Sequence, residues 1–256
     1  MSSYVITGAS RGIGVGLAQY PDHTSISDSY IGTVRISTTA LNQSSKYRHR
    51  PASEATARIT GGTLDYLIAN GARLPEGSAF VSFGEMGKNP AALEEELIAN
   101  CKTNVVGNVH LFNLFMPLIL NGQQKKVIAI SSGHADLDLI SKYEIEVTGP
   151  YAVGKAATNA VVSKFSAEYA KDGVLFMSIS PGVVETGHFN PAELTEKELQ
   201  IVGALAAKFQ TYAPHFQGPM TPEASVKQVI SVYEKASLAN GDGGSFVSHL
   251  GTKQWL

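Results

Sequence analysis

Tyr4-Val5-Ile6-Thr7-Gly8-Ala9-Ser10-Arg11-Gly12-Ile13-Gly14 stands near the start of the chain and decides its class. Tyr4, Val5 and Ile6 form a short apolar run. Three glycines follow, and Ile13, Val15, Leu17 and Ala18 then suit the start of a helix, giving strand, turn, helix. Glycines at 8, 12 and 14 let the backbone turn sharply and approach a pyrophosphate, whose charge is met by free N–H groups at the helix start. The spacing Gly8-x-x-x-Gly12-x-Gly14 departs from the G-x-G-x-x-G fingerprint. An ordinary glycine-rich turn is the competing reading, weakened by its place directly after the first strand.

Outward from this segment, short apolar runs recur: Tyr30-Ile31-Gly32-Thr33-Val34, Leu64-Asp65-Tyr66-Leu67-Ile68, Lys126-Val127-Ile128-Ala129-Ile130 and Val174-Leu175-Phe176-Met177-Ser178-Ile179. Gly244-Ser245-Phe246-Val247-Ser248 follows an Asn240-Gly241-Asp242-Gly243 turn and reads as a last strand. Between the runs lie helical patterns over about 91–120, 150–171 and 222–237, the last opening after Thr221 as N-cap with Pro222 in the first turn. Strands alternating with helices predict an α/β protein, a doubly wound parallel sheet forming one domain over residues 1–256. At 27.2 kDa the chain is long enough for one large, well-buried core.

Twenty Lys and Arg against 22 Asp and Glu give a formal net charge of -2 without a long run of one sign, which speaks against nucleic-acid or membrane partners and for small-molecule ligands. The lone Cys101 cannot form an internal disulfide, and no basic leader precedes Tyr4. No apolar run reaches the ~18 residues of a spanning helix, so the expected location is cytoplasmic.

Tyr151 and Lys155 stand four residues apart in Tyr151-Ala152-Val153-Gly154-Lys155, and positions i and i+4 share a helix face. The Lys155 ammonium beside the phenol is expected to favour its ionised form, bringing a group that titrates near ~10 closer to neutral pH. Ser131-Ser132-Gly133 closes an apolar run upstream, and the hydroxyl of either serine can donate to a substrate carbonyl oxygen, with a structural strand-end serine the alternative.

Thr7-Gly8-x-x-x-Gly12-x-Gly14, Tyr151-x-x-x-Lys155 and Pro181-Gly182 after a later strand occur together in the order of the short-chain dehydrogenase/reductase family, which the chain resembles over residues 4–189 by motif and less diagnostically to Trp255. The long insert 133–150 between serine and tyrosine resembles the carbonyl-reductase branch that contains many fungal enzymes. The resemblance implies a Rossmann-like fold and an NAD(P)-dependent oxidoreductase: the nicotinamide gives hydride to the carbonyl carbon of a ketone or aldehyde, or takes it from an alcohol, while Tyr151 exchanges the proton. It implies catalytic roles for Asn104, Ser132, Tyr151 and Lys155, Asn104 supporting a water-mediated proton path from the lysine. Cofactor contacts are implied for Gly8, Ser10, Arg11, Gly12, Ile13 and Gly14, for Arg35 at the end of the second strand, and for Asn70 and Gly71. Tyr151, Lys155, Pro181, Gly182, Val184 and Thr186 complete that set.

Arg35 and Arg11, with no competing carboxylate, suit a ribose 2′-phosphate and favour NADP(H) over NAD(H), although either arginine also reads as a solvated surface residue. Asn70 in Ala69-Asn70-Gly71-Ala72 departs from the family's N-N-A-G turn. Gly154 replaces a serine often found before the lysine, with modest consequences expected. Relatives packed through their long helices imply a homodimer or homotetramer.

The stretch 19–58 is rich in Ser, Thr, His and Arg and is short for the second and third strands with their helices, so a shortened or irregular region is expected there. The family's adenine-contacting acid has no match. The alternative reading is therefore a non-catalytic or cofactor-binding-impaired protein of the same fold. His134, Asp136 and Asp138 lie close in sequence without the convergence a metal needs, and no metal is expected. Leu199, Val202, Leu205 and Phe209 recur at near-helical spacing within 194–216, a lid or a packed surface helix, and His188, Phe189, Phe209, Tyr212 and Phe216 are candidates for an apolar pocket.

Overall fold

A computed structural model of the chain describes residues 2–20, 30–34, 46–74, 77–187 and 191–256, with backbone alone at 30–34, 46–49 and 191. Strand β1 (Tyr4–Thr7) leads through the glycine turn into helix α1 (Gly12–Gln19), followed by β2 (Tyr30–Val34), α2 (Lys46–Thr60) and β3 (Tyr66–Ala69). The next elements are α3 (Phe83–Met86), α4 (Pro90–Asn100), a π-helical segment (Cys101–Val106) that continues into α5 (Gly107–Asn121), and β4 (Lys126–Ile130). Helices α6 (Leu137–Lys142) and α7 (Gly149–Tyr169), strand β5 (Leu175–Ser180), helices α8 (Glu196–Tyr212) and α9 (Pro222–Lys235), and strand β6 (Phe246–Ser248) complete the chain.

Among the described residues six strands form one parallel sheet in the order β2-β1-β3-β4-β5-β6. β3, β4 and β5 are buried along their whole length, which is why they read as continuous apolar runs and not as alternating ones. Successive side chains still point to opposite faces. Leu67, Val127 and Phe176 meet Leu111, Phe112 and Phe115 of α5 and Phe165 of α7, whereas Ile68, Ile128 and Met177 meet Leu17 of α1 and Val226, Val229 and Tyr233 of α9. The strand order reverses between β1 and β3, so a crevice opens beyond their carboxyl ends, where the glycine turn and Asn70 lie.

Helix α2 falls inside the stretch that shows no apolar pattern in sequence. Its inward side is made of small residues: Ala52 and Ala57 pack on the α5 side of the core, Thr56 is fully buried, and Ser53 Oγ donates to the Leu114 carbonyl at 2.8 Å. Close packing here needs little apolar volume, so hydropathy is silent. Among the described residues β2 is the edge strand on that side; Arg35, the expected ribose contact, lies outside them. The continuous helix Pro90–Asn121 has the length and apolar composition of a membrane span, yet Leu111, Phe112, Phe115, Met116 and Ile119 of its second half lie in the protein core.

Candidate active site

The glycine turn is closed by backbone packing that excludes side chains. A Cβ on Gly14 would stand 2.3 Å from the Gly8 carbonyl oxygen, and one on Gly8, whose φ is +68°, would stand 2.7 Å from Gly71 Cα. Asn70 braces the same turn from β3, its Nδ2 donating to the carbonyls of Thr7 (3.1 Å) and Gly8 (3.3 Å), while the Gly71 N–H donates to Thr7 Oγ1 at 2.9 Å. Arg11 is the N-cap of α1 without a side-chain bond to the free N–H groups, and the first turn carries no acidic residue. An uncapped helix start behind a side-chain-free turn fits a dinucleotide pyrophosphate. Ser10 and Arg11 are exposed at this turn, and Ile13 turns toward the core.

The second wall comes from the segment after β5. Thr186 lies over the glycine turn, since a Cβ on Gly12 would meet Thr186 Cγ2 at 3.2 Å. The Pro181 carbonyl is anchored by the buried Ser225 hydroxyl at 2.7 Å, and Gly182 adopts φ +81°, a left-handed conformation that favours glycine. Val184 forms a parallel bridge with Met220. These bonds hold the 181–186 turn against the crevice.

At the other end of the crevice the two serines separate. Ser131 is buried and donates to Asn159 Oδ1 at 2.7 Å, whereas the Ser132 hydroxyl accepts from the His134 backbone N–H at 3.2 Å and acts on the Tyr151 phenol. Burial pushes the Tyr151 phenol up to about 12, with the Ser132 hydrogen bond pulling the other way. Lys155, only 5% exposed, donates to the Ile130 carbonyl at 2.6 Å, stands 5.7 Å from the Tyr151 ring centroid, and is lowered by burial to about 8. The expected lowering of the tyrosine below its ordinary value is therefore not found: burial raises it. Burial acts on both groups, and the ammonium spends its shortest bond on a main-chain oxygen.

Asn104 is buried where the helix loosens. The Gly107 N–H bonds back to the Lys102 carbonyl, five residues earlier, and the Asn104 carbonyl accepts from Thr158 Oγ1 (2.8 Å) and Asn108 Nδ2 (2.7 Å). The Asn104 side chain clamps the Arg73 backbone, accepting from its N–H at 2.8 Å and donating to its carbonyl at 3.1 Å, and it donates to Asn100 Oδ1 at 2.8 Å. Asn100, fully buried, and Thr148, the N-cap of α7, escape the sequence reading. The four-residue step from Asn100 to Asn104 and the Thr148-Gly149-Pro150 helix start were the available signals.

The long insert packs against α8 and the C-terminal segment. Leu139 and Ile145 pack with Phe209 of α8 and with Trp255, and Tyr143, Tyr212 and Phe216 join the same small core. Lys208 of α8 pairs with Glu146 of the insert. Helix α8 opens on a full capping box between Thr195 and Glu198 and packs against this insert. His188 and Phe189 lie outside the described residues. Among the described residues no group of three His, Cys, Asp or Glu side chains is placed to hold a metal.

Comparison with known proteins agrees with this architecture. The family model of short chain dehydrogenases matches residues 31–197. The short chain dehydrogenase virK of Hypocrea virens is 51% identical over an alignment of 278 positions that spans the whole of both chains, and the short-chain dehydrogenase/reductase iacC of Pestalotiopsis fici is 42% identical over 274, again whole to whole. An alignment of 278 positions against 256 residues leaves at least 22 positions of the first relative without a counterpart here, in keeping with a shortened chain. Among solved structures, NADPH-bound carbonyl reductase from chicken fatty liver superposes with a TM-score of 0.72 at 18% identity, covering 98% of each chain. A short chain dehydrogenase from Burkholderia cenocepacia in complex with NADP gives 0.65 at 16% identity, covering 98% of this chain and 97% of its own. The chain belongs to the short-chain dehydrogenase/reductase family and is an oxidoreductase.

Proposed function

We propose that the protein reduces a ketone or aldehyde to an alcohol, or runs the reverse oxidation, with NADP(H) preferred over NAD(H). The observation that carries this reading is the convergence of three groups: Ser132 acts on the buried Tyr151 phenol, and Lys155, one helical turn further on, stands 5.7 Å from the Tyr151 ring centroid. Bound NADPH supplies the hydride. Gly8, Gly12 and Gly14 with the N–H groups of α1 hold the pyrophosphate, Thr186 and the Pro181-Gly182 turn border the nicotinamide, and the Nζ hydrogens of Lys155 left over from Ile130 hold the ribose.

Tyr151 keeps its proton through neutral pH, because burial holds it near 12, and so is poised as the acid that protonates the carbonyl oxygen. Ser132 donates a second hydrogen bond to that oxygen and fixes its position. Asn104, held by Asn100 and Arg73, positions the loosened helix turn beside α7 through Thr158. The insert and α8 pack together into an apolar wall on the side of His134.

NADPH preference rests on Arg35 and Arg11 and is supported by the NADPH and NADP bound to the two structural relatives. Titrating the purified chain with NADPH and NADH, then following ketone-dependent absorbance loss, tests the reading. Tight NADPH binding with turnover is expected. Failure to bind either nucleotide favours the impaired-binding alternative, and Arg35→Asp with an unchanged NADPH/NADH ratio removes Arg35 from the ribose site.

A further inference from the structure

His134 follows the serine by two residues, and its ring is fixed on several sides. Its backbone N–H donates to Ser132 Oγ at 3.2 Å, its imidazole stands edge-on to Phe209 of α8 with centroids 6.3 Å apart, and its Nδ1 is 2.9 Å from Thr148 Oγ1. Thr148 decides the tautomer. Of its two contacts the shorter, 2.6 Å, is to the Val147 carbonyl, which can only accept, so the single hydroxyl proton is assigned to that bond. Thr148 Oγ1 must then accept from the imidazole, which places the ring proton on Nδ1 and leaves Nε2 with a bare lone pair. Burial lowers His134 to about 4, which keeps the ring neutral at physiological pH.

The threonine is held for this contact at a cost. Thr148 sits at φ +59°, a left-handed conformation rare for a β-branched residue, and its side chain makes no capping bond to α7, whose next turn carries Tyr151. His134 Nε2 has no partner among the described residues. It is not one of the buried polar atoms cut off from solvent, and the residue is half-buried. Its surroundings are apolar: Phe209 faces the ring, and Leu139, Phe216 and Trp255 belong to the same small core.

We infer that His134 is a specificity-determining residue whose Nε2 accepts a hydrogen bond from a hydroxyl on the substrate, so that the substrate class is a ketone bearing an alcohol or phenol group near its carbonyl. The inference rests on the carbonyl-reducing reading of Ser132 and Tyr151. A lone acceptor in an apolar wall rewards a donor and is left unpaired by a ligand that lacks one. The carbonyl oxygen is engaged by Ser132 and Tyr151, and the hydroxyl is read by the residue two positions on.

Two ketones of one skeleton, with and without a hydroxyl near the carbonyl, are compared by NADPH oxidation in the wild-type chain and in His134→Phe. The wild type is expected to favour the hydroxylated ketone roughly 10- to 100-fold in kcat/KM, chiefly through KM, and the variant to bring that ratio close to one. A preference retained in His134→Phe, or none in the wild type, overturns the inference while leaving the reductase reading intact. Turnover of neither ketone by the wild type overturns both. Nitrogen-15 NMR of the histidine rings, assigned by the signal missing in His134→Phe, tests the tautomer without turnover. A proton on Nδ1 is expected, and a proton on Nε2 refutes the inference by itself.

Discussion

A Cβ on Gly154 would stand 2.1 Å from Asn100 Oδ1, so the residue before Lys155 is glycine because Asn100 already fills the space a side chain would take. Asn100 is fully buried and its Oδ1 accepts from Asn104 Nδ2 at 2.8 Å, so it cannot swing aside without releasing the asparagine that holds the Arg73 backbone. The glycine at 154 thus has a packing reason of its own, separate from the modest effect on proton transfer expected from sequence. Gly154→Ser is expected to destabilise the chain by about 1 to 3 kcal/mol through overpacking and to lower kcat. Asn100→Ala in the Gly154→Ser background should recover part of the loss in a urea melt. A Gly154→Ser chain as stable as wild type would show that the contact is not tight.

Ser131 and Ser132 should separate stability from activity. Ser131→Ala removes the hydroxyl that donates to Asn159 Oδ1 in the interior and is expected to cost about 1 to 3 kcal/mol of stability. Ser132→Ala, at a half-buried position, is expected to lower kcat by at least ~10²-fold with a smaller change in stability. The opposite pattern would return the catalytic role to Ser131.

The sheet was largely legible in the sequence and the site partly so, for physical reasons visible in particular residues. The six strands among the described residues stand where short apolar runs mark them, because fully buried parallel strands such as β4 need apolar side chains on both faces. Thr221 caps α9 as expected, with its hydroxyl accepting from the Ala224 N–H at 3.2 Å. Helix α2 was not legible, since Ala52, Thr56 and Ala57 pack through smallness. The π-helical segment at Asn104 left no hydropathy signal, because it depends on contacts with Thr158, 54 residues away. The Thr148 to His134 bond likewise joins two ends of a loop whose path no periodicity encodes.

Lys155 makes stability depend on pH in a defined direction. Burial lowers it from 10.5 to about 8, so between those values the unfolded chain binds more protons than the folded one and stability rises with pH. The penalty is fully present below about 8. Relative to Lys155→Met, the wild type should gain up to ~3 kcal/mol between pH 8 and 10.5, read from urea melts at both ends of that window. Parallel stability curves for the two proteins would place the lysine pKa near its ordinary value.

The glycine turn has two kinds of glycine, and substitution should distinguish them. Gly14→Ala drives a Cβ to 2.3 Å from the Gly8 carbonyl oxygen and is expected to disrupt the turn and abolish NADPH binding. Gly12→Ala meets only the Thr186 side chain, at 3.2 Å, but must adopt φ +57°, at a cost of about 1 to 2 kcal/mol. Calorimetric titration with NADPH should find weakened binding for Gly12→Ala and none for Gly14→Ala. Equal, undiminished affinity in both would remove the turn from the cofactor site.

The central claim is that the Tyr151 phenol gives its proton to a substrate oxygen. The direct measurement is ketone-dependent NADPH oxidation by the wild type and by Tyr151→Phe, with NADPH affinity determined on the same samples. Loss of ~10²- to 10⁴-fold in kcat with nucleotide affinity retained is the expected result. Turnover by Tyr151→Phe at the wild-type rate would contradict the claim.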